Sequence, residues 1–409
     1  MKTLVRHPHA LWIRIGLLCI LFCQSCSQST LITPSGENSS TQISEARSVS
    51  TATEELPDQI KIAIIAPMTG PASTFGTSTL QGAQLAIDEW NARGGVLGMK
   101  VVALVGDSQC AMDPAVTAAN QLIEEEKVQY LVGDVCSSGS IPISEMAESE
   151  GVIQISPSST IDQFTLNADG TTKQYVFRAC YTDSFQGVVL GRFATENLNI
   201  RKAFILTNPT NEYSVDLANT FEKAFTQGGG QIVGKGTYDF QDTEFSITFD
   251  EISKAKPEII FLADGYPVVN LITAKARENG ITTLFIGADG WDSPNLDKAA
   301  TEGSYFSTHF SPQDQRPVVQ EWEQKYQARY QSMPDALAAL GYDATNILLA
   351  SIDQAGVDDP QKVAEAMAKL KWNGVSGDIV FDERHNPIKP VVILQVKDGQ
   401  TEYVTTVNP

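Results

Sequence analysis

The chain has 409 residues, with 29 Lys and Arg against 49 Asp and Glu, a net charge of −20 at pH 7. A surface of that sign repels nucleic acid and anionic lipid, so no nucleic-acid partner is expected, and the charge itself serves solubility. The length leaves room for two lobes of ~100 to 200 residues each.

Lys2, Arg6 and Arg14 precede the apolar run from Ile15 to Phe22, which is too short to span a bilayer and reads as an export signal over residues 1–25. Cys26 follows Gln24 and Ser25 in an arrangement that resembles the lipoprotein box, where small residues let a peptidase reach a cysteine that then carries lipid. Cys23 stands where leucine is usual, so cleavage near Ser25 without lipid is the alternative. Residues 26–57 are rich in Ser, Thr, Gln and Glu, bury too little apolar surface to offset their ordering entropy, and read as a disordered tether. Removing residues 1–25 takes away three positive charges and no acids, leaving 26 basic against 49 acidic residues and a net charge of −23.

From Ile60 the pattern alternates. The buried strand Ile60–Ala66 leads to a helix over 76–93, where Leu80, Ala83, Ala86, Ile87 and Trp90 show helical spacing before Gly94-Gly95 stops it. Strand 101–105, helix 114–126, strand 129–132, helix 141–149 and strand 152–155 follow. A second series starts after Val176–Cys180: helices 185–197, 215–226, 245–254 and 268–279 alternate with strands 203–206, 232–238, 259–263 and 284–287. Helices at 317–330, 336–354 and 360–370 and strands at 379–381 and 391–396 close the chain. Such βαβ units imply parallel sheets, and the expectation is α/β: two doubly wound parallel-sheet lobes with a cleft between their strand ends.

Ligands in such sheets sit at the carboxyl ends of strands. Two hydroxyl clusters occupy such places: Ser137-Ser138 after Tyr130–Gly133, and Ser156-Pro157-Ser158-Ser159-Thr160 after Val152–Ile155. The same hydroxyls have a second reading as turn and helix-cap residues.

Several motifs share one order and spacing: Ile64-Ile65-Ala66-Pro67-Met68-Thr69-Gly70-Pro71, Ala92–Gly98, the Cys110 to Cys136 segment, Ile155–Thr160 and Gly341-Tyr342-Asp343-Ala344. From Asp58 onward the chain resembles the type I periplasmic solute-binding proteins of the branched-chain amino acid (Leu/Ile/Val-binding) family, which serve ABC importers. The resemblance implies a chain that crosses between lobes three times, forming a hinge, with residues 58–180 and 311–375 in lobe 1 and 181–310 and 376–409 in lobe 2.

An amino acid needs donors for its carboxylate and acceptors for its ammonium, since burying either charge unpaired costs several kcal/mol. The resemblance implies that Ser137 and Thr160 take the carboxylate, and that the Ser158 carbonyl, the Thr160 hydroxyl and Asp289 receive the ammonium. Asp289 departs from the family's glutamate by one methylene, which leaves room for a bridging water or a shift of the ammonium toward lobe 2. Phe75, Tyr213 and Tyr266 align with pocket aromatics, and Tyr342 is expected to approach from the returning lobe. Phe75 and Tyr213 read as loop residues, which favours a ligand role. Each aromatic has a second reading in a core. Asp264, before Gly265-Tyr266, is a candidate to select a polar or cationic side chain. Cys110 and Cys136 match the family's disulfide; two buried thiols are the alternative. Cys180 is left as a buried thiol.

Only His309 and His385 remain beyond the signal, without metal-ligand spacing, and no phosphate-cradling loop or nucleophile motif is present. The chain is therefore expected to be no enzyme, with no cofactor and no metal, but a monomer whose partners are a small-molecule ligand and a membrane permease. It is expected outside the cytoplasm and anchored by lipid. The rival is a ligand sensor, since the same fold serves receptors and an amide-responsive regulator. A receptor calls for a transmembrane segment after the binding domain, and none is read before Pro409; a cytoplasmic regulator would lack the export signal. A binding protein that senses amides, urea or amino acids and signals through a separate membrane partner stays as the alternative.

Overall fold

A computed structural model describes residues 59–409. The signal, Cys26 and the tether through residue 57 lie outside the described residues.

The first lobe is built from β1 (Gln59–Ala66), α1 (Ser73–Ala92), β2 (Lys100–Asp107), α2 (Met112–Asn120), β3 (Tyr130–Gly133), α3 (Ser137–Glu150), β4 (Ile153–Ser156) and β5 (Val176–Arg178). The second contains α4 (Asp183–Arg192), β6 (Lys202–Thr207), α5 (Glu212–Gln227), β7 (Gln231–Thr237), α6 (Ser246–Ala255), β8 (Ile259–Leu262), α7 (Tyr266–Glu278), β9 (Leu284–Gly287) and β10 (Tyr305–Thr308). The chain then returns to the first lobe with α8 (Pro317–Tyr330), α9 (Ala336–Ala355), α10 (Pro360–Met367), β11 (Lys371–Gly374) and β12 (Gly377–Val380), and ends in β13 (Val391–Lys397) and β14 (Gln400–Val407) of the second.

The first sheet has the order β2-β1-β3-β4-β5 and is parallel throughout. Its strands are near-continuous apolar runs because helices cover both faces. On one face α1 crosses α9 so closely that a Cβ at Gly82 would overlap the Ala338 carbonyl, and one at Gly341 the Thr79 backbone. The second sheet has the order β14-β13-β10-β9-β8-β6-β7 and is mixed rather than parallel. Its last pair is a hairpin whose two-residue turn, Asp398-Gly399, has positive φ at both positions, the geometry that returns a strand antiparallel beside its predecessor.

Both sheets reverse direction in strand order, at β1/β3 in the first lobe and at β6/β8 in the second. The loops after these strands diverge and leave crevices, and the crevices face each other. Three segments join the lobes, near residues 179–182, 309–316 and 382–390. The last falls later than the expected boundary at 375, because Ile379 and Phe381 pack in the first lobe's core and His385 stacks on Phe177, ring centroids 3.9 Å apart. Among the described residues no helix is long and apolar enough to cross a membrane.

Candidate functional site

A cavity of about 430 Å³ lies between the two crevices, within the size range of small-molecule sites. From the first lobe Pro71, Ala72 and Phe75 follow β1, Val135, Cys136 and Ser137 follow β3, and Ser158 follows β4. From the second, Asn208, Asn211 and Tyr213 follow β6, Asp264 and Gly265 follow β8, and Asp289 and Gly290 follow β9.

Helix α3 begins at Ser137, four residues before the apolar spacing at Ile141 suggests. The hydroxyl cluster is thus the helix's first turn, and its leading amides and positive dipole end open on the cavity, a setting suited to an anion. The Cys110–Cys136 disulfide, Cα atoms 5.4 Å apart, pins that terminus to the loop after β2. Behind it Asp134 is fully buried; its Oδ1 accepts from the Ser108 hydroxyl (2.9 Å) and the Val135 amide (2.6 Å), and burial pushes its carboxyl up to about 7. The loop after β1 is held by Asp107, whose carboxylate accepts from the Met68 amide (2.9 Å) and the Thr69 hydroxyl (2.5 Å).

The 156–160 loop is fixed from beneath by Arg178 on β5, which donates to the carbonyls of Ser159 (2.9 Å) and Ile161 (2.8 Å). Ser158 reaches the cavity wall, its hydroxyl spent on the Val135 carbonyl (2.8 Å). Thr160 is wholly buried behind the wall, and its Oγ1 has no hydrogen-bond partner. The carboxyl of Asp183 faces it, and burial drives that group well above the usual carboxylate range. Sequence reasoning did not single out Asp183; its only local signal was its place at the start of a helix.

Asp289 is the most heavily supported group in the cavity. Its Oδ1 accepts from the Tyr213 hydroxyl (2.7 Å) and Gln186 Nε2 (3.1 Å), its Oδ2 contacts His309 Nε2 (3.1 Å), and its own amide donates to Gln186 Oε1 (2.9 Å). Burial alone would raise its pKa, but His309, Tyr213 and Gln186 together hold it below the usual carboxylate value. Burial also takes the His309 imidazole down to about 4, so the pair at neutral pH is a carboxylate receiving the Nε2 proton of an uncharged ring. Gln186 and His309 were not legible as site residues, since they come from α4 and the segment after β10, 103 and 20 positions from Asp289.

The aromatics divide. Phe75 and Tyr213 line the cavity from the first turns of α1 and α5, not from loops as expected, because those helices start upstream at Ser73 and Glu212. Tyr266 does not line it; its hydroxyl donates to the Pro71 carbonyl (2.8 Å) and lies 3.0 Å from Thr74 Oγ1, joining the lobes across the cleft, with its ring edge-on to Phe75 at 5.2 Å. Tyr342 lies away from the cavity in the helical layer, where it donates to Glu89 (2.6 Å) and packs on Trp322. Asp264 reaches the wall, but Oδ1 accepts from the Gly265 amide (2.7 Å) and Asn211 (3.3 Å), and Oδ2 from the Tyr238 hydroxyl (2.9 Å). Its carboxylate is internally engaged, which removes the basis for expecting it to select a cation. Cys180 is buried at the first crossing, its thiol pushed up by burial to about 12 and directed at the Ser159 carbonyl (3.2 Å).

Two α/β lobes, three crossings and a polar cavity at facing switch points define a bilobed binding protein that closes on a ligand. Residues 59–401 match the periplasmic binding protein family. The leucine-, isoleucine-, valine-, threonine- and alanine-binding protein of Pseudomonas aeruginosa is 27% identical over 329 residues, covering 80% of this chain and 87% of that protein. Among solved structures, a leucine-binding protein of Thermotoga maritima superimposes with a TM-score of 0.81 at 35% identity, over 86% of this chain and 99% of that one. A branched-chain amino acid transporter substrate-binding protein of Streptococcus pneumoniae, solved with isoleucine, gives 0.80 at 27% identity over 86% and 100%. The chain belongs to the type I periplasmic binding proteins of the branched-chain amino acid binding family. It is a non-catalytic, extracytoplasmic solute-binding protein that works with a membrane permease in an ABC importer.

Proposed function

We propose that the cavity captures an L-α-amino acid with an apolar side chain and that closure around it presents the protein to its permease. The observation that carries this reading is the pairing of opposite chemistries across one cavity: the anion-receptive start of α3 at Ser137 in one lobe and the ionised Asp289 in the other. Ser137 and the first amides of α3 take the carboxylate. Asp289 and the Ser158 carbonyl take the ammonium, and Thr160 lies behind that wall. Phe75, Phe240, Val268 and Leu337 supply apolar wall for the side chain, and Tyr213 braces Asp289. Tyr266 acts on closure rather than on the ligand, and Tyr342 on the packing of α1 against α9. The aliphatic ligands named for the relatives agree with this wall.

Calorimetric titration with a panel of L-amino acids tests it. Leucine, isoleucine or valine should bind in the micromolar range or tighter, and lysine and glutamate should not. Preference for a charged side chain, or binding of urea and simple amides alone, contradicts the proposal. Cys26 is proposed as the lipid-bearing residue of the exported chain; an unmodified Cys26 in the intact mass of the membrane-bound form contradicts that.

A further inference from the structure

A carboxylate offers about four acceptor positions, two on each oxygen. On Asp289, Oδ1 is filled by Tyr213 and Gln186, whereas Oδ2 receives one donor, His309 Nε2. The position that remains for a ligand is therefore on Oδ2, the oxygen whose direction His309 fixes. His309 directly follows β10 at the start of the second crossing, and its ring stacks on Tyr181 of the first crossing, centroids 3.7 Å apart and planes 24° from parallel. Tyr181 in turn directs its hydroxyl at Gln186 Oε1 (3.5 Å), the atom that also receives the Asp289 amide and the Ser307 hydroxyl. Two of the three hinge segments thus meet at the carboxylate.

We propose that His309 is a positioning residue that ties the ligand-facing oxygen of Asp289 to the hinge, and that the imidazole must be uncharged for tight ligand binding. The inference rests on Asp289 being the ammonium partner. A neutral ring orients Oδ2 with one hydrogen bond and adds no charge. An imidazolium would set a second cation on the carboxylate that the ammonium needs, so protonation and ligand binding compete.

The groups around the ring keep it neutral near pH 7. Asp289 faces Nε2 from the turn after β9 and favours protonation, while burial and Lys389 oppose it. Lys389 comes from the third crossing, where its ammonium donates to Ser376 Oγ (2.8 Å) and the Ala179 carbonyl (3.3 Å). Tyr181 covers the ring face, and Asp292 is engaged by Thr308, the residue before His309. Nδ1 is buried with no hydrogen-bond partner, so a proton added there finds no acceptor. The charge change therefore falls in acid, around pH 4. The His309 contribution to ligand affinity should be flat above that window and lower the affinity by up to about tenfold per pH unit below it, as for one proton lost on binding.

The test is calorimetric titration of the exported protein with L-leucine from pH 7 to pH 3.5, for wild type, His309→Ala and His309→Gln, with melting curves to confirm folding. At pH 7 His309→Ala should bind about tenfold or more weakly, because Oδ2 loses its charged hydrogen bond. His309→Gln places an amide nitrogen where Nε2 stood; it should recover most of that loss and keep its affinity at acid pH where wild type declines. Asp134 and Asp264 make no contact with His309, and His309→Gln keeps a donor on Asp289, so the difference from wild type reports on the His309–Asp289 pair. An acid decline in His309→Gln equal to that of wild type, or wild-type affinity in His309→Ala, overturns the inference. In ligand-free protein, imidazole nitrogen shifts should show the Nε2–H tautomer, moving to Nδ1–H in Asp289→Asn. A tautomer indifferent to Asp289 overturns the pairing, whereas an intact pairing in a protein that binds no amino acid overturns the functional reading instead.

Discussion

Asp289→Asn removes the charge proposed to meet the ligand ammonium while keeping the shape that its neighbours enclose. The amide oxygen can still accept from Tyr213 and Gln186 in place of Oδ1. The amide nitrogen then faces His309, which becomes an acceptor by moving its proton from Nε2 to the partnerless Nδ1. That leaves one buried N–H unsatisfied, a cost of ~1 to 3 kcal/mol, offset by no longer burying a charge, so net stability should change by less than about 2 kcal/mol. Binding should lose far more. Truncating a buried charged hydrogen bond costs ~2 to 5 kcal/mol, which is roughly 30-fold to several-thousand-fold in Kd. Asp289→Ala should lose both, because three donors are stranded. Calorimetry with leucine and urea denaturation of the ligand-free proteins separate the two effects. Leucine affinity in Asp289→Asn within about threefold of wild type would refute the assignment of the ammonium to Asp289.

Replacing both Cys110 and Cys136 by serine opens a link spanning 26 positions, and urea denaturation should show a loss of about 3.5 kcal/mol, with weaker leucine binding because Ser137 adjoins the bridge; unchanged stability contradicts this. Tyr266→Phe deletes the hydroxyl contacts to Pro71 and Thr74 across the cleft. Leucine should leave several-fold faster in stopped-flow experiments, as ~1 kcal/mol or more of closure energy is lost, and an unchanged dissociation rate contradicts the role in closure. Asp134 is a carboxyl whose folded pKa, about 7, lies above its unfolded value of 3.8. The folded state therefore holds the proton more tightly; this stabilisation is complete below pH 4 and is lost as pH rises through 7. Asp134→Asn should gain a few kcal/mol at pH 8 relative to wild type and flatten the melting-temperature profile between pH 5 and 8; a slope equal to that of wild type contradicts the account. Asp292, also pushed by burial to about 7, leaves a residual slope in the variant.

The regular alternation of apolar strands and amphipathic helices made two α/β lobes legible, because parallel strands covered on both faces need apolar runs such as Ile60–Ala66 and helices need a 3.6-residue stripe such as Leu80 to Trp90. Tyr305–Thr308 gave no strand signal: it is four residues long and ends in Ser307-Thr308, and it becomes a strand through its neighbours β9 and β13. The start of α3 was hidden for a related reason. Ser137 to Ser140 carry no apolar period, and the helix extends through them because its first turn faces a cavity instead of the core. Ser137, Ser158 and Asp289 could be located because each follows a strand end, where a parallel sheet presents its loops. The cage around Asp289 could not, since Gln186 and His309 reach it only through the fold. Tyr266 and Tyr342 show the limit of aromatic position alone: one joins the lobes beside the cavity and the other packs outer helices.

The decisive comparison is of L-leucine with 4-methylpentanoic acid, which lacks the ammonium, and with 3-methylbutylamine, which lacks the carboxylate. All three share one branched side chain, so calorimetric titration reads the two charged subsites separately. Leucine should bind tightly and each analogue at least about a hundredfold more weakly, because each leaves one buried charged subsite unpaired. Comparable binding of either analogue would contradict capture of a zwitterion between Ser137 and Asp289.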